Sequence, residues 1–106
     1  MLKEITEKEY EQYRGSSLVL ADFFSSTCGP CKMLSYVLKD IEAQYGDSLI
    51  ILKVDFDENK ELVEEFQVTA YPTLILLKEG KEVERMQGLA AKPAIIKMIE
   101  KYKEEK

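Results

Sequence analysis

The sequence contains no histidine, no tryptophan and only two cysteines among its 106 residues. A structural zinc site needs four Cys or His ligands, so zinc binding would require the two cysteines of a second copy. A small secreted scaffold usually carries four or more cysteines spread along the chain, whereas these two stand three positions apart. We therefore expect no bound metal and no framework of disulfides.

The sequence also lacks a long apolar segment. Its longest nearly apolar stretches, residues 18–24 and 49–54, are much too short to cross a bilayer. Residues 1–7 contain no apolar core of the kind that a secretory signal has. We therefore expect a cytoplasmic protein that does not bind membranes.

The composition is typical of one globular domain. Hydrophobic residues make up 45% of the chain, which is enough to bury one core, and charged residues make up 33%. We expect residues 1–106 to form a single domain. The net charge of −5, from 15 basic and 20 acidic residues, disfavours binding to nucleic acids and to anionic membranes because both are polyanions.

Apolar periodicity predicts alternating strands and helices. Short apolar runs predict buried strands over 18–24, 49–54 and 73–77, a further strand over 82–87 and a short edge strand over 3–5. Helical spacing predicts helices over 31–45, 59–66 and 92–103, and a capping box of Thr6 and Glu9 predicts a helix over 7–14. The order β-α-β-α-β-α-β-β-α implies parallel pairing across the helical crossovers and an antiparallel hairpin at 78–81. We expect an α/β fold with a mixed sheet of four to five strands and four helices on its two faces.

The two cysteines form the tetrapeptide Cys28-Gly29-Pro30-Cys31 between a predicted buried strand and a predicted helix. A helix N-terminus favours a thiolate because it carries free N–H groups and partial positive charge, so a lowered pKa is expected for the first cysteine. Pro30 removes one N–H donor and stiffens the loop. Two alternatives stay open: inert core thiols, for which Gly-Pro at such a turn is poor sequence, and a zinc site that bridges two copies.

The chain resembles the thioredoxin family over essentially its whole length. The landmarks, in order and at near-family spacing, are Asp22-Phe23-Phe24, Cys28-Gly29-Pro30-Cys31-Lys32-Met33, Lys53, Tyr71-Pro72-Thr73, Gly80 and Gly88. The resemblance implies a thioredoxin fold and a protein dithiol–disulfide oxidoreductase. It implies that Cys28 is the nucleophile and that Cys31 resolves the mixed disulfide.

The resemblance also implies the redox partners. The Cys28–Cys31 disulfide itself would be the redox-active group, with no bound cofactor. NADPH would act only indirectly, through a flavoprotein thioredoxin reductase, and the substrates would be proteins that contain disulfides. Family members are mostly monomers, so a monomer is expected here.

Asp22 lies within an otherwise apolar predicted strand, and Lys53 lies within the next strand. The pattern alone allows Asp22 to stand at a strand end and point to water, and it allows Lys53 to be a solvated strand lysine. The resemblance implies instead that Asp22 is a buried acid that exchanges protons with Cys31, with Lys53 as its charged neighbour.

The resemblance further implies a substrate-docking surface around a cis proline at Pro72. A cis bond is uncommon for proline in general, so the sequence alone would not predict it. Substrate would pair with the neighbouring backbone in an extended conformation. The residues assigned to this surface by resemblance are Thr27, Phe56, Tyr71, Pro72, Thr73, Gly88 and Leu89.

Of the positions that depart from the family pattern, two lie near the cysteines. Phe24 and Thr27 stand where the family usually has tryptophan. Phe24 keeps an aromatic ring, but Thr27 removes a large apolar contact beside the nucleophile. A general protein-disulfide reductase is the first reading, and a dedicated redox partner of one enzyme or pathway is a second, which the change at Thr27 fits as well. A non-catalytic docking subunit is a third reading, and an oxidant or isomerase is disfavoured because strong oxidants of this fold typically carry a histidine between the cysteines.

Overall fold

The computed structural model describes residues 1–103. The strands are β1 (Leu2–Ile5), β2 (Leu18–Phe24), β3 (Ile50–Asp55), β4 (Thr73–Lys78) and β5 (Lys81–Gln87). They form one central sheet in the order β1-β3-β2-β4-β5. The helices are α1 (Glu7–Tyr10), α2 (Gly29–Tyr45), α3 (Lys60–Glu65) and α4 (Lys92–Lys103), and a single 3₁₀ turn occupies Gly46–Ser48.

The sheet is mixed, as the sequence predicts. β3 pairs in parallel with β1 and with β2, whereas β4 pairs antiparallel with β2 and with β5. The β4–β5 pair is the predicted hairpin, and it contains a bulge at Leu76/Leu77. The expected α/β class, strand count and helix count are confirmed.

Alternate residues of the central strands enter two separate cores. One core lies beneath α2 and α4 and includes Leu20, Leu34, Ile51, Leu76 and Ile99. The other lies on the opposite face of the sheet, towards α1 and α3, and contains the neighbouring strand positions, such as Ala21, Phe23 and Leu52. By this alternation Asp22 and Phe24 of β2, and Lys53 of β3, stand on the α2 side of the sheet.

The helix predicted over 7–14 is wrong in its second half. The capping box is present, because the Thr6 side chain accepts from the Glu9 N–H and the Glu9 carboxylate accepts from the Thr6 N–H. The helix nevertheless ends at Tyr10, and the chain continues in tight turns with bonds from the Gln12 N–H to the Glu9 carbonyl and from the Tyr13 N–H to the Tyr10 carbonyl. These turns, in place of further helix, connect α1 to the segment that precedes β2.

The other helix ends differ from the prediction by smaller amounts. α2 begins at Gly29 rather than at residue 31, because Cys28 acts as its N-cap and Pro30 suits the first turn. α3 covers Lys60–Glu65, with Asn59 and Phe66 as its flanking caps. α4 has the predicted bounds. No helix within residues 1–103 is long and apolar enough to cross a membrane.

Candidate active site

The two cysteines lie after β2, at the beginning of α2: Cys28 is the N-cap of the helix and Cys31 lies in its first turn. They are joined in a disulfide, and their Cα atoms are 5.2 Å apart. The Cys28 Sγ atom accepts a hydrogen bond from the Cys31 N–H at 3.1 Å, which makes Cys28 the side-chain cap of the helix. Cys28 is 9% exposed and Cys31 is 3% exposed, so Cys28 is the more accessible of the two. The structure therefore excludes the reading in which these are two unlinked core thiols.

Asp22 is completely buried, which excludes the reading of a solvated strand end. Neither of its carboxylate oxygens has a hydrogen-bond partner within residues 1–103. Burial raises the pKa of Asp22 to about 7, and the positive charge of Lys53 opposes part of that rise. The carboxyl is thus placed to gain or lose a proton near neutral pH.

Lys53 is the direct strand partner of Asp22, and Leu74 of β4 pairs with Asp22 on the other side. The Lys53 ammonium does not bond to the carboxyl. It donates to the Ser35 Oγ atom on α2 at 2.8 Å and lies 4.6 Å from the centre of the Phe24 ring. Lys53 is half-buried, and its ammonium is held by these two partners.

A cleft of about 170 Å³ opens beside these groups. Cys31, Lys53 and Ser35 line it together with Phe24, Ser25, Ser26 and Lys32. Cys31 and Lys53 therefore line one small, partly polar space together. Ser35 was not expected at the site. The signal available in the sequence was its position one helical turn after Cys31, on the same helix face.

Contacts around Pro72 link four of the predicted docking residues: Phe56, Tyr71, Pro72 and Gly88. The Tyr71–Pro72 peptide bond is cis, as the resemblance implies. The Gly88 N–H donates to the Pro72 carbonyl at 2.8 Å, and the Tyr71 ring meets the Phe56 ring edge-on with centroids 5.3 Å apart. Gly88 has a φ of +83°, a conformation that glycine adopts readily and other residues rarely.

Exposure separates the members of this group. Tyr71 is 44% exposed and Leu89 is 53% exposed. Thr73 is buried, and its hydroxyl donates to the Ala70 carbonyl at 2.7 Å, so its side chain faces the protein. Thr27 is exposed, and its hydroxyl lies 3.3 Å from that of Ser25. Within this group, Tyr71 and Leu89 therefore present the exposed large apolar side chains.

Comparisons with known proteins agree with this geometry. The family model described as Thioredoxin matches residues 1–101. The chain belongs to the thioredoxin family. It is 42% identical over 102 residues to the thioredoxin of Listeria monocytogenes and 44% identical over 102 residues to that of Chlamydia trachomatis, with 96% of this chain and 99% of each relative covered. It also superimposes on the structure of a mutant thioredoxin from Halobacterium salinarum with a TM-score of 0.88 and 34% identity, covering 97% of this chain and 91% of that one.

Thioredoxins are dithiol–disulfide oxidoreductases, and this member has the redox-active disulfide of the family at Cys28 and Cys31. The protein is therefore a thiol–disulfide oxidoreductase. Within residues 1–103, no group of three or more Cys, Asp or Glu side chains is arranged to hold a metal ion.

Proposed function

We propose that this thioredoxin reduces disulfides in other proteins, with Cys28 as the attacking residue and Cys31 as the resolving residue. The observation that carries the proposal is the position of Cys28 at the N-cap of α2, where its sulfur accepts the Cys31 N–H. In the dithiol form this N–H and the helix dipole favour a thiolate at Cys28. Its greater exposure lets it reach a substrate sulfur first.

Two displacements complete the reaction. The Cys28 thiolate attacks one sulfur of the substrate disulfide, which forms a mixed disulfide and releases the other substrate sulfur as a thiol. The Cys31 sulfur, after losing its proton, then attacks the Cys28 sulfur and releases the second substrate thiol. Two electrons pass to the substrate, and the Cys28–Cys31 disulfide remains.

Asp22 is the proposed proton acceptor for Cys31. Its carboxyl is completely buried, with a pKa raised to about 7, and its strand partner Lys53 lines the same cleft as Cys31. A group with this pKa takes a proton readily at neutral pH and returns it readily. We propose that a water molecule carries the proton between the two side chains.

The docking surface is proposed to consist of Thr27, Phe56, Tyr71, Pro72, Thr73, Gly88 and Leu89. Exposed apolar area at Tyr71 and Leu89 supports contact with an extended substrate segment beside the disulfide. Thr27 presents a small hydroxyl where a large ring would contact more substrates, which favours a narrower set of partners than a general reductase serves.

The location, oligomeric state and electron donor of the protein are proposed from its membership of the thioredoxin family. We propose a cytoplasmic monomer in which residues 1–106 form one domain. A flavoprotein thioredoxin reductase that draws electrons from NADPH would regenerate the dithiol. The bacterial thioredoxins that resemble this chain support this assignment.

Capture of mixed disulfides tests the assignment of roles. The Cys31→Ser variant should accumulate covalent complexes with protein substrates through Cys28, and reducing agent should release them. The matched Cys28→Ser variant should capture none and should lose turnover. Equal capture by both variants would contradict the roles, and retained biological function in the double Cys→Ser variant would indicate a docking subunit instead.

A further inference from the structure

The two-step exchange does not explain why the Lys53 ammonium bonds to Ser35 on α2. Lys53 is the strand partner of Asp22, whose buried carboxyl has no hydrogen-bond partner within residues 1–103, yet the 2.8 Å hydrogen bond of the Lys53 ammonium goes to the Ser35 hydroxyl. A lysine next to an unpaired buried acid would ordinarily be drawn to it, because ion pairing is strong where the dielectric constant is low.

Two contacts hold the ammonium in its place. The hydroxyl of Ser35 accepts one N–H of Lys53, and the Phe24 ring lies 4.6 Å below the charge. Both contacts are attractive to a cation, since a hydroxyl oxygen and an aromatic face each carry negative potential. Together they hold the ammonium at the cleft that Lys53 and Ser35 line.

We propose that Ser35 is a positioning residue that keeps the Lys53 ammonium out of contact with the Asp22 carboxyl. Its consequence for the reaction rests on the proposed role of Asp22. A carboxyl in contact with the ammonium would stay ionised and would be a weak base. With the ammonium held by Ser35, the carboxyl remains able to take up a proton near neutral pH.

Few other charges act on Asp22. β3 brings Lys53, and β4 brings the apolar Leu74 as the opposite strand partner. α2 brings Cys31, which lines the cleft with Lys53 and does not titrate while it is in the disulfide, and the exposed Lys32 lies at the same cleft. The oxidised protein therefore reports the Asp22–Lys53 interaction without a titrating thiol nearby.

The test is an NMR titration of the Asp22 carboxyl carbon in the oxidised, full-length protein. Removal of the hydroxyl in Ser35→Ala should free the ammonium to approach the carboxyl and lower the pKa of Asp22 by roughly one pH unit. Ser35→Thr keeps a hydroxyl and should retain the wild-type pKa. Ser17→Ala, an exposed serine before β2, should also leave the pKa unchanged.

A second variant tests whether the Ser35 hydroxyl acts on Asp22 through Lys53. In a Lys53→Met background the pKa of Asp22 should rise, and adding Ser35→Ala should then change nothing, because the hydroxyl acts only through the ammonium. An unchanged or raised pKa in Ser35→Ala alone would overturn the proposal. So would a lowering that persists without the lysine.

The titration also separates this inference from the proposed function. A fall in the Asp22 pKa with no change in the pH profile of mixed-disulfide resolution would support the positioning by Ser35 and would overturn the proton-transfer role of Asp22. A matching shift of that profile to lower pH would support both.

Discussion

Asp22 and Lys53 are direct partners on adjacent parallel strands, yet their charged groups do not bond to each other. The carboxyl is completely buried without a hydrogen-bond partner among residues 1–103, and the ammonium bonds to Ser35. A buried acid in this state costs folding free energy whenever it is ionised. Selection for stability alone would not keep such a residue, which is consistent with a role in the reaction.

The pH dependence of stability should reveal this cost. The pKa of Asp22 is about 7 in the folded protein against about 3.9 in an unfolded chain, so the folded state holds the proton more tightly. The contribution of Asp22 is therefore most favourable below about pH 4, and it is lost as the pH rises through about 7. The full penalty above that range is on the order of 4 kcal/mol.

The Asp22→Asn variant should remove this dependence. Denaturant unfolding at pH 8 should show the variant to be more stable than the wild type by roughly 2–4 kcal/mol, and the difference should shrink as the pH falls towards 4. The same variant should slow substrate reduction at neutral pH. Equal stability at pH 8 would mean that the carboxyl is better solvated than the structure indicates.

Tyr71 should contribute to substrate binding rather than to chemistry. Its ring is 44% exposed beside cis-Pro72 and packs edge-on against Phe56. Tyr71→Ala should lower kcat/KM for a protein disulfide by roughly 10-fold because apolar contact area is lost. Tyr36 on α2 is 67% exposed and offers a matched control, so Tyr36→Ala should have little effect.

A small chromogenic disulfide separates docking from reactivity in the same variants. Such a reagent needs little surface beyond the cysteines, so Tyr71→Ala should reduce it at nearly the wild-type rate. An equal loss with both substrates would indicate that the tyrosine supports the geometry of the cysteines.

Gly88 should be required for its backbone conformation. Its φ is +83°, and its N–H donates to the Pro72 carbonyl, while a Cβ placed there would meet no atom within 4 Å. Gly88→Ala should therefore lose about 1–2 kcal/mol through backbone strain alone. Gly29→Ala is the control, since its position is equally open and its φ is not positive, and thermal unfolding should show it to be unchanged or slightly more stable.

The sequence predicts those elements best that have a strong period and clear end signals. β2 and α4 have the predicted bounds, because an apolar run and a Pro93-marked first turn define them. The helix over 7–14 was too long, because the capping box marks a beginning and the residues after Tyr10 favour tight turns without breaking helical spacing. Local patterns mark where helices begin better than where they end.

The residues of the site also differ in how well the sequence predicts them. Cys28 and Cys31 are predicted from the tetrapeptide and its place at a strand-to-helix turn, which the disulfide confirms. The pattern alone could not decide whether Asp22 is buried, because a polar residue near the end of a strand fits either face. Ser35 was missed because its importance depends on a contact between α2 and β3 that no local pattern encodes.

The reduction potential of the Cys28–Cys31 couple tests the central claim most directly. The protein would be equilibrated in dithiol/disulfide buffers, and its free thiols would be trapped with an alkylating mass tag and counted. We predict a value near the roughly −270 mV that is typical of thioredoxin, at which the dithiol donates electrons to protein disulfides. A value near the roughly −120 mV of a strong oxidant would reverse the direction of electron flow and contradict the account.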